Sequence, residues 1–147
     1  MIKFEEIEIN RFLSIDNIKL SFDKIGLYLL NGEVEDVTSS SSNGAGKSAI
    51  IDSILWSLYD STLRNISKDE VVNRYYAADC YVRLIGHKDN DKFEIVRYRK
   101  HKTLGNKVFF MLNDKDVTGS SDKVTTASIE EFLGMTYEEF QIGLLFS

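Results

Sequence analysis

Ser41-Ser42-Asn43-Gly44-Ala45-Gly46-Lys47-Ser48 is the stretch on which the reading of this chain turns. It follows a short, nearly all-apolar run from Ile25 to Leu30, which has the pattern of a strand buried on both faces. It leads into Ile50, Ile51, Ile54, Leu55 and Leu58, whose spacing, widened by Trp56 and Tyr59, predicts a helix from Lys47 to Tyr59. A glycine-rich loop between strand and helix is the context of a phosphate-binding loop. Gly44 and Gly46 let consecutive backbone N–H groups turn toward β- and γ-phosphates with no side chain in the way. The amides at a helix start add partial positive charge. Lys47 brings a full charge to the same oxygens, and the Ser48 hydroxyl is of the kind that ligates Mg2+. The full pattern G-x-x-x-x-G-K-S/T asks for glycine at 41, where this chain has Ser41. Gly32 closes the apolar run, and the acidic, serine-rich Glu33–Ser42 reads as a flexible insertion before the phosphate-contacting half, Asn43 to Ser48. The bland alternative is a glycine-rich helix start that binds nothing, with Lys47 solvated.

Working outward, Ile2, Phe4, Ile7, Ile9 and Phe12 alternate imperfectly with polar residues, and Ile18, Leu20 and Phe22 alternate cleanly. Two strands are expected there. Ser67-Lys68-Asp69-Glu70 has the form of a capping box opening a short helix at Val71-Val72. Tyr81–Ile85 and Phe93–Tyr98 read as strands about a Gly86–Asp91 turn, and Val108–Leu112 as a further strand before Asn113-Asp114-Lys115-Asp116. Ser128-Ile129-Glu130-Glu131 and Thr136-Tyr137-Glu138-Glu139 predict two more capped helices with Gly134 as the stop between them. The final Ile142 to Phe146 is apolar and reads as an element cut in the middle.

Composition narrows the classes. A chain of 147 residues with 43% hydrophobic and 28% charged residues is an ordinary single globular domain. No apolar run reaches the ~20 residues of a membrane span, and Met1–Glu6 lacks the apolar core of a signal peptide, so no membrane partner is expected. The single cysteine, Cys80, excludes an internal disulfide framework and suggests a reducing compartment. A net charge of −5 argues against holding nucleic acid by bulk charge alone.

Taken in order, these segments resemble the N-terminal half of the ATPase head of SbcC-type double-strand-break-repair proteins, within the wider SMC family. Large subunits of bacteriophage recombination endonucleases look most similar. The features that carry the likeness are Asn10-Arg11-Phe12-Leu13-Ser14, Ser42–Ser48, Asp52–Tyr59, Leu63–Glu70, Val96-Arg97-Tyr98-Arg99-Lys100 and Ile129–Met135. The resemblance implies an α/β P-loop NTPase fold, an ABC-ATPase-like head lobe with a mixed β-sheet, the P-loop helix and an antiparallel β layer. It implies ATP and Mg2+ as cofactors. Asn43, Gly44, Ala45, Gly46, Lys47, Ser48 and Ala49 would surround the phosphates, with Lys47 catalytic and Ser48 on the metal. Asn73 and Arg74 match a segment near the nucleotide base. Leu13 stands where the family often has an arginine, and the family's Mg2+-sensing glutamine would follow an apolar strand beginning near Ile142. Gln141 precedes that point and is not assigned.

The same resemblance makes residues 1–147 an N-terminal lobe without its C-terminal half and coiled coil. No strand here ends in paired carboxylates, since Asp36 lies in the loop and Asp114 and Asp116 in a turn. The implied partners are the C-terminal half, a second ATPase head, a nuclease subunit and DNA, in the cytoplasm of a bacterial or phage-infected cell. The lobe would bind ATP with little turnover alone. Two rival readings stand beside it: an interaction module whose loop has drifted, and a recombination-mediator or defence ATPase of the same superfamily.

Lys92, Arg97, Arg99, Lys100, Lys102 and Lys107 face one acid, Glu94, within a single segment. That segment is either a solvated hairpin face or a DNA-phosphate contact. His87 and His101 lack ligand-spaced partners, and Cys80, Trp56 and Tyr59 read as packing residues. Arg64 has two open roles, a structural cap or a nucleotide sensor.

Overall fold

The structure, a computed structural model, describes residues 2–22, 44–64 and 66–146, with the backbone alone at 44–47 and 143–146. The expected strand at 25–30, the insertion at 33–42 and Asn43 lie outside the described residues. Strands β1 (Ile2–Phe12) and β2 (Ile15–Ser21) form a hairpin with Ile7 opposite Leu20 and Ile9 opposite Ile18. Helix α1 (Gly44–Tyr59) follows, then a 3-10 turn at Lys68–Val71. Strands β3 (Cys80–Lys88), β4 (Asp91–His101), β5 (Gly105–Leu112) and the short β6 (Lys115–Asp116) form a meander. Helices α2 (Asp122–Leu133) and α3 (Tyr137–Phe146) complete the chain. The sheet runs β2-β1-β3-β4-β5-β6, and every pairing among the described residues is antiparallel.

The imperfect alternation of β1 has a local cause. Its buried positions run Phe4, Ile7, Ile9 and Phe12, at intervals of three, two and three; the first interval of three coincides with a register shift on β3 between Phe4 and Glu6, and the second spans Arg11 at φ +51°. From there the inner faces of the strands supply Val82, Leu84, Phe93, Ile95, Val108 and Phe110, all 0–1% exposed. Each such side chain contributes roughly 1.5–3 kcal/mol by leaving water. Helix α1 lies on this face against β1, β3 and β4, while α2 packs on β5 and beside α1.

Helix α1 is buried nearly all round from Ala49 to Tyr59, its polar Asp52, Ser53 and Ser57 included. The two serines need no outside partner. Ser53 Oγ donates to the Ile50 carbonyl at 2.6 Å and Ser57 Oγ to the Ile54 carbonyl at 2.8 Å, one turn back along the same helix. Trp56 tilts against Phe12 at 5.3 Å, and Tyr59 meets Tyr137 and Phe140 edge-on at 5.9 Å. The packing roles expected of Trp56, Tyr59 and Cys80 are the observed ones.

Several boundaries differ from expectation. Gly86 sits inside β3, and the turn is at Asp89–Asn90, with Asp89 at φ +55°. Ser67 makes no capping bond to the backbone and donates instead to Glu70 Oε1 at 3.0 Å, and the helix expected to open at Val71-Val72 is a 3-10 turn that opens three residues earlier, at Lys68. Ser128 is mid-helix; α2 is capped by Ser121, whose hydroxyl accepts from Val124 N at 3.2 Å. Thr136 is a true cap, with Glu139 N donating to its Oγ1 and Thr136 N to Glu139 Oε1. Gly134, at φ +69°, is the stop between α2 and α3. The expected strand near Ile142 is instead the continuation of α3.

Candidate nucleotide site

The predicted phosphate loop enters the helix directly. Gly44, Ala45, Gly46, Lys47 and Ser48 form the first turn of α1. The first four amides of a helix have no partner within it, and here they stand at its positive end. Ser48 is exposed and Ala49 is fully buried, so the helix passes from solvent to core within one residue. A cluster of donors with an exposed hydroxyl fits a polyphosphate carrying a divalent cation. Among the described residues no group of three or more His, Cys, Asp or Glu side chains could hold a metal.

One turn beyond Ser48, on the same side of the helix, Asp52 is 0% exposed. Its Oδ1 accepts from Leu63 N at 2.7 Å. Arg64 Nε lies 2.8 Å from Oδ2, close as an ion pair but off the line of a hydrogen bond. Burial is the largest influence on this carboxyl and holds its pKa above the ordinary value, against the lowering effect of Leu63 N and Arg64. The structure thus gives Arg64 an ion pair with the α1 carboxylate.

Asn73 and Arg74 lie in the segment that follows the 3-10 turn. Asn73 is 9% exposed, and its Oδ1 accepts from Tyr75 N at 2.9 Å and Tyr76 N at 3.4 Å, which commits the side chain to shaping its own turn. Its backbone N–H donates to the Arg11 carbonyl at 2.8 Å. Arg74 is exposed. The contacts of this segment reach the end of β1: Phe12 bridges Val72, and Leu13 N donates to the Val71 carbonyl at 2.7 Å. The Arg11 guanidinium lies 4.1 Å from the Tyr76 ring centre and 3.4 Å from Asp79 Oδ2. This joining of Asn10–Leu13 to residues 71–79 went unread in the sequence, because contacts across about sixty positions leave no local pattern.

The basic segment is not one solvated face. Arg97 is 4% exposed and points into the molecule, with Nε on the Ser57 carbonyl at 3.2 Å and Nη2 on Thr126 Oγ1 at 3.0 Å. Arg99 Nη2 pairs with Asp69 at 2.7 Å. The two histidines are structural as well: His87 Nδ1 bonds to Glu5 Oε1, and His101 Nδ1 accepts from Leu104 N at 3.1 Å.

Comparison with known proteins adds the lineage. The model of the family described as AAA domain matches residues 6–142. Exonuclease subunit 2 of Enterobacteria phage T4 is 25% identical over 142 residues, which is 95% of this chain and 23% of that protein. The chain thus spans about a quarter of the length of that curated relative. Two structures of the recombination mediator protein RecF share the fold. The RecF-ATP form has a TM-score of 0.56 and 20% identity, covering 82% of this chain and 29% of RecF. The RecF-ATPrS form has a TM-score of 0.56 and 17% identity, covering 87% and 29%.

Proposed function

The chain belongs to the AAA-domain family, and on that premise we propose that it is the nucleotide-binding lobe of an ATPase head serving DNA repair or recombination. The carrying observation is the first turn of α1, where Gly44–Ser48 set unpaired amides and an exposed hydroxyl at a helix start anchored by a buried core. The amides of Gly44 to Lys47 hold the β- and γ-phosphate oxygens, and the Lys47 ammonium adds its charge where negative charge gathers as the terminal bond to phosphorus breaks. The Ser48 hydroxyl holds the cation, and Mg2+ when bound supplies further neutralisation of the phosphates. Ala49 packs behind the loop and keeps it rigid. Asn73 and Arg74 border the base in this reading, Arg74 by its exposed guanidinium and Asn73 by holding the turn.

Hydrolysis needs a group that orients water, and no described strand ends in paired carboxylates. The C-terminal half and a second head supply it in this proposal, so the lobe alone turns over slowly. By analogy with the T4 exonuclease subunit, the completed protein works with a nuclease partner on DNA ends in the cytoplasm. Among the described residues no helix is long and apolar enough to cross a membrane.

Calorimetric titration of MgATP into this chain and its Lys47→Ala variant tests the reading. Saturable binding lost in the variant is expected. Binding that survives in Lys47→Ala, or no binding even after the C-terminal half is added back, overturns it in favour of an interaction module.

A further inference from the structure

A cleft of about 580 Å3 opens where the last turn of α1, strands β4 and β5 and the first turns of α2 meet. Its walls carry five basic side chains against three acidic ones, on a chain whose net charge is −5. Two of the five are neutralised: Lys68 lies 3.0 Å from Asp60, and Arg99 2.7 Å from Asp69. Lys107 and Lys123 are exposed, and neither has an ion-pair partner among the described residues.

Arg97 is the decisive wall residue. It is 4% exposed, its bonds go to two neutral oxygens, and no described carboxylate lies within 4 Å of it. Burial lowers its pKa to about 10, and Asp60 and Asp122 offset this only through space. The guanidinium remains protonated at neutral pH, a buried cation in the cleft wall without a counter-charge in contact. In the same wall the indole N–H of Trp56, 2% exposed, has no hydrogen-bond partner. A buried cation with no carboxylate in contact and an orphaned donor are both unfavourable, and an anionic acceptor in the cleft would favour either.

We propose that this cleft is a second phosphate-binding site, taking a phosphate ester through Arg97, Lys107 and Lys123 with Trp56 in its wall. With Nε and Nη2 held by Ser57 and Thr126, Arg97 acts on the phosphate chiefly through its charge, and the exposed Lys107 and Lys123 supply the direct contacts. The cleft is separate from the first turn of α1: Trp56 follows Lys47 by nine residues, roughly 13 Å of helix. A free phosphate ester and a nucleic-acid backbone share this chemistry.

Trp56 is the sole tryptophan, so its fluorescence reports on this site. The titration uses the Lys47→Ala background, in which the first turn of α1 is disabled, with sodium pyrophosphate in one arm and a short single-stranded oligodeoxynucleotide in the other. The expected result is a saturable change in emission that weakens with added salt. Saturation by pyrophosphate identifies a free phosphate group as ligand, and saturation by the oligonucleotide alone identifies a backbone. Arg97→Gln should weaken binding about tenfold or more. The double variant Lys107→Glu/Lys123→Glu, changed only at exposed positions, should do the same and keeps the test valid if Arg97→Gln does not fold. No saturable change with either probe, or one unaltered in the double variant, overturns the proposal. Loss of MgATP binding at α1 has no bearing on this result, since Lys47 is already removed.

Discussion

Arg64 Nε stands 2.8 Å from Asp52 Oδ2, joining a side chain 40% exposed to one 1% exposed. The pair ties the loop after α1 to the second turn of that helix, one turn from Ser48. Asp52→Ala removes the acceptor of Leu63 N along with the counter-charge of Arg64, and should destabilise the fold by about 2–4 kcal/mol in urea unfolding. Arg64→Met removes a half-exposed partner and should cost about 1 kcal/mol or less.

The same carboxyl has a pH signature. Its folded pKa lies above the ordinary 3.8, chiefly through burial. The folded state therefore holds the proton more tightly than the unfolded chain, and stability from this group, full below the unfolded pKa, is lost as pH rises through the folded value. Asp52→Asn does not titrate. Relative to the native chain, its cost should be largest in acid and shrink toward neutral pH. A cost that grows with pH across that range would mean that Arg64 outweighs burial.

Gly86 allows β1 and β3 to approach. A Cβ there would stand 2.5 Å from the Lys3 carbonyl oxygen and 2.8 Å from the Phe93 ring. The carbonyl belongs to the backbone and cannot swing aside, so Gly86→Ala should cost about 1–3 kcal/mol. The expected result is a lower urea midpoint at unchanged slope.

Helix α2 is fixed at both ends by single residues. Ser121→Ala leaves Val124 N without its cap, and Gly134→Ala forces a Cβ onto a backbone at φ +69°. Each should cost about 1 kcal/mol, measured by thermal unfolding. The sites are twelve residues of helix apart, so the double variant should show the sum.

Cys80 is fully buried, and burial pushes its thiol up to about 12. A thiol-reactive disulfide reagent should label it very slowly in the folded chain and at once in urea. Rapid labelling of the folded protein would place the residue outside the core.

Much of this molecule is legible in residue patterns, where the pattern is local. The helix after Lys47, the meander from Cys80 to Leu112, and the Thr136 and Gly134 signals rest on spacings of two to four residues. Gly86 misleads because glycine marks turns and close strand approach alike. Ser128 misleads because serine three residues before glutamate also occurs within helices, whereas the working cap, Ser121, is followed at that distance by Val124. Arg97 carried a readable signal: alternation puts it on the face of Phe93 and Ile95, the inner one. The likeness to SbcC-type heads implied the P-loop NTPase fold, but the cleft beside Arg97 needs four elements side by side, which no linear spacing encodes.

The sheet order gives the fold a schedule. Strand β1 lies between β2 and β3, and its last residue, Phe12, precedes Cys80 by 68 positions. At ribosomal speeds of about 5–20 residues per second, β1 waits roughly 3–14 s for that neighbour. During the interval only one of its two edges can be satisfied, by β2, and helix α1 has no completed sheet to lie upon. Helix α1 is thus made before most of the sheet that covers it, and a nascent chain stalled before Lys88 would present both an open strand and an apolar helix to whatever is nearby.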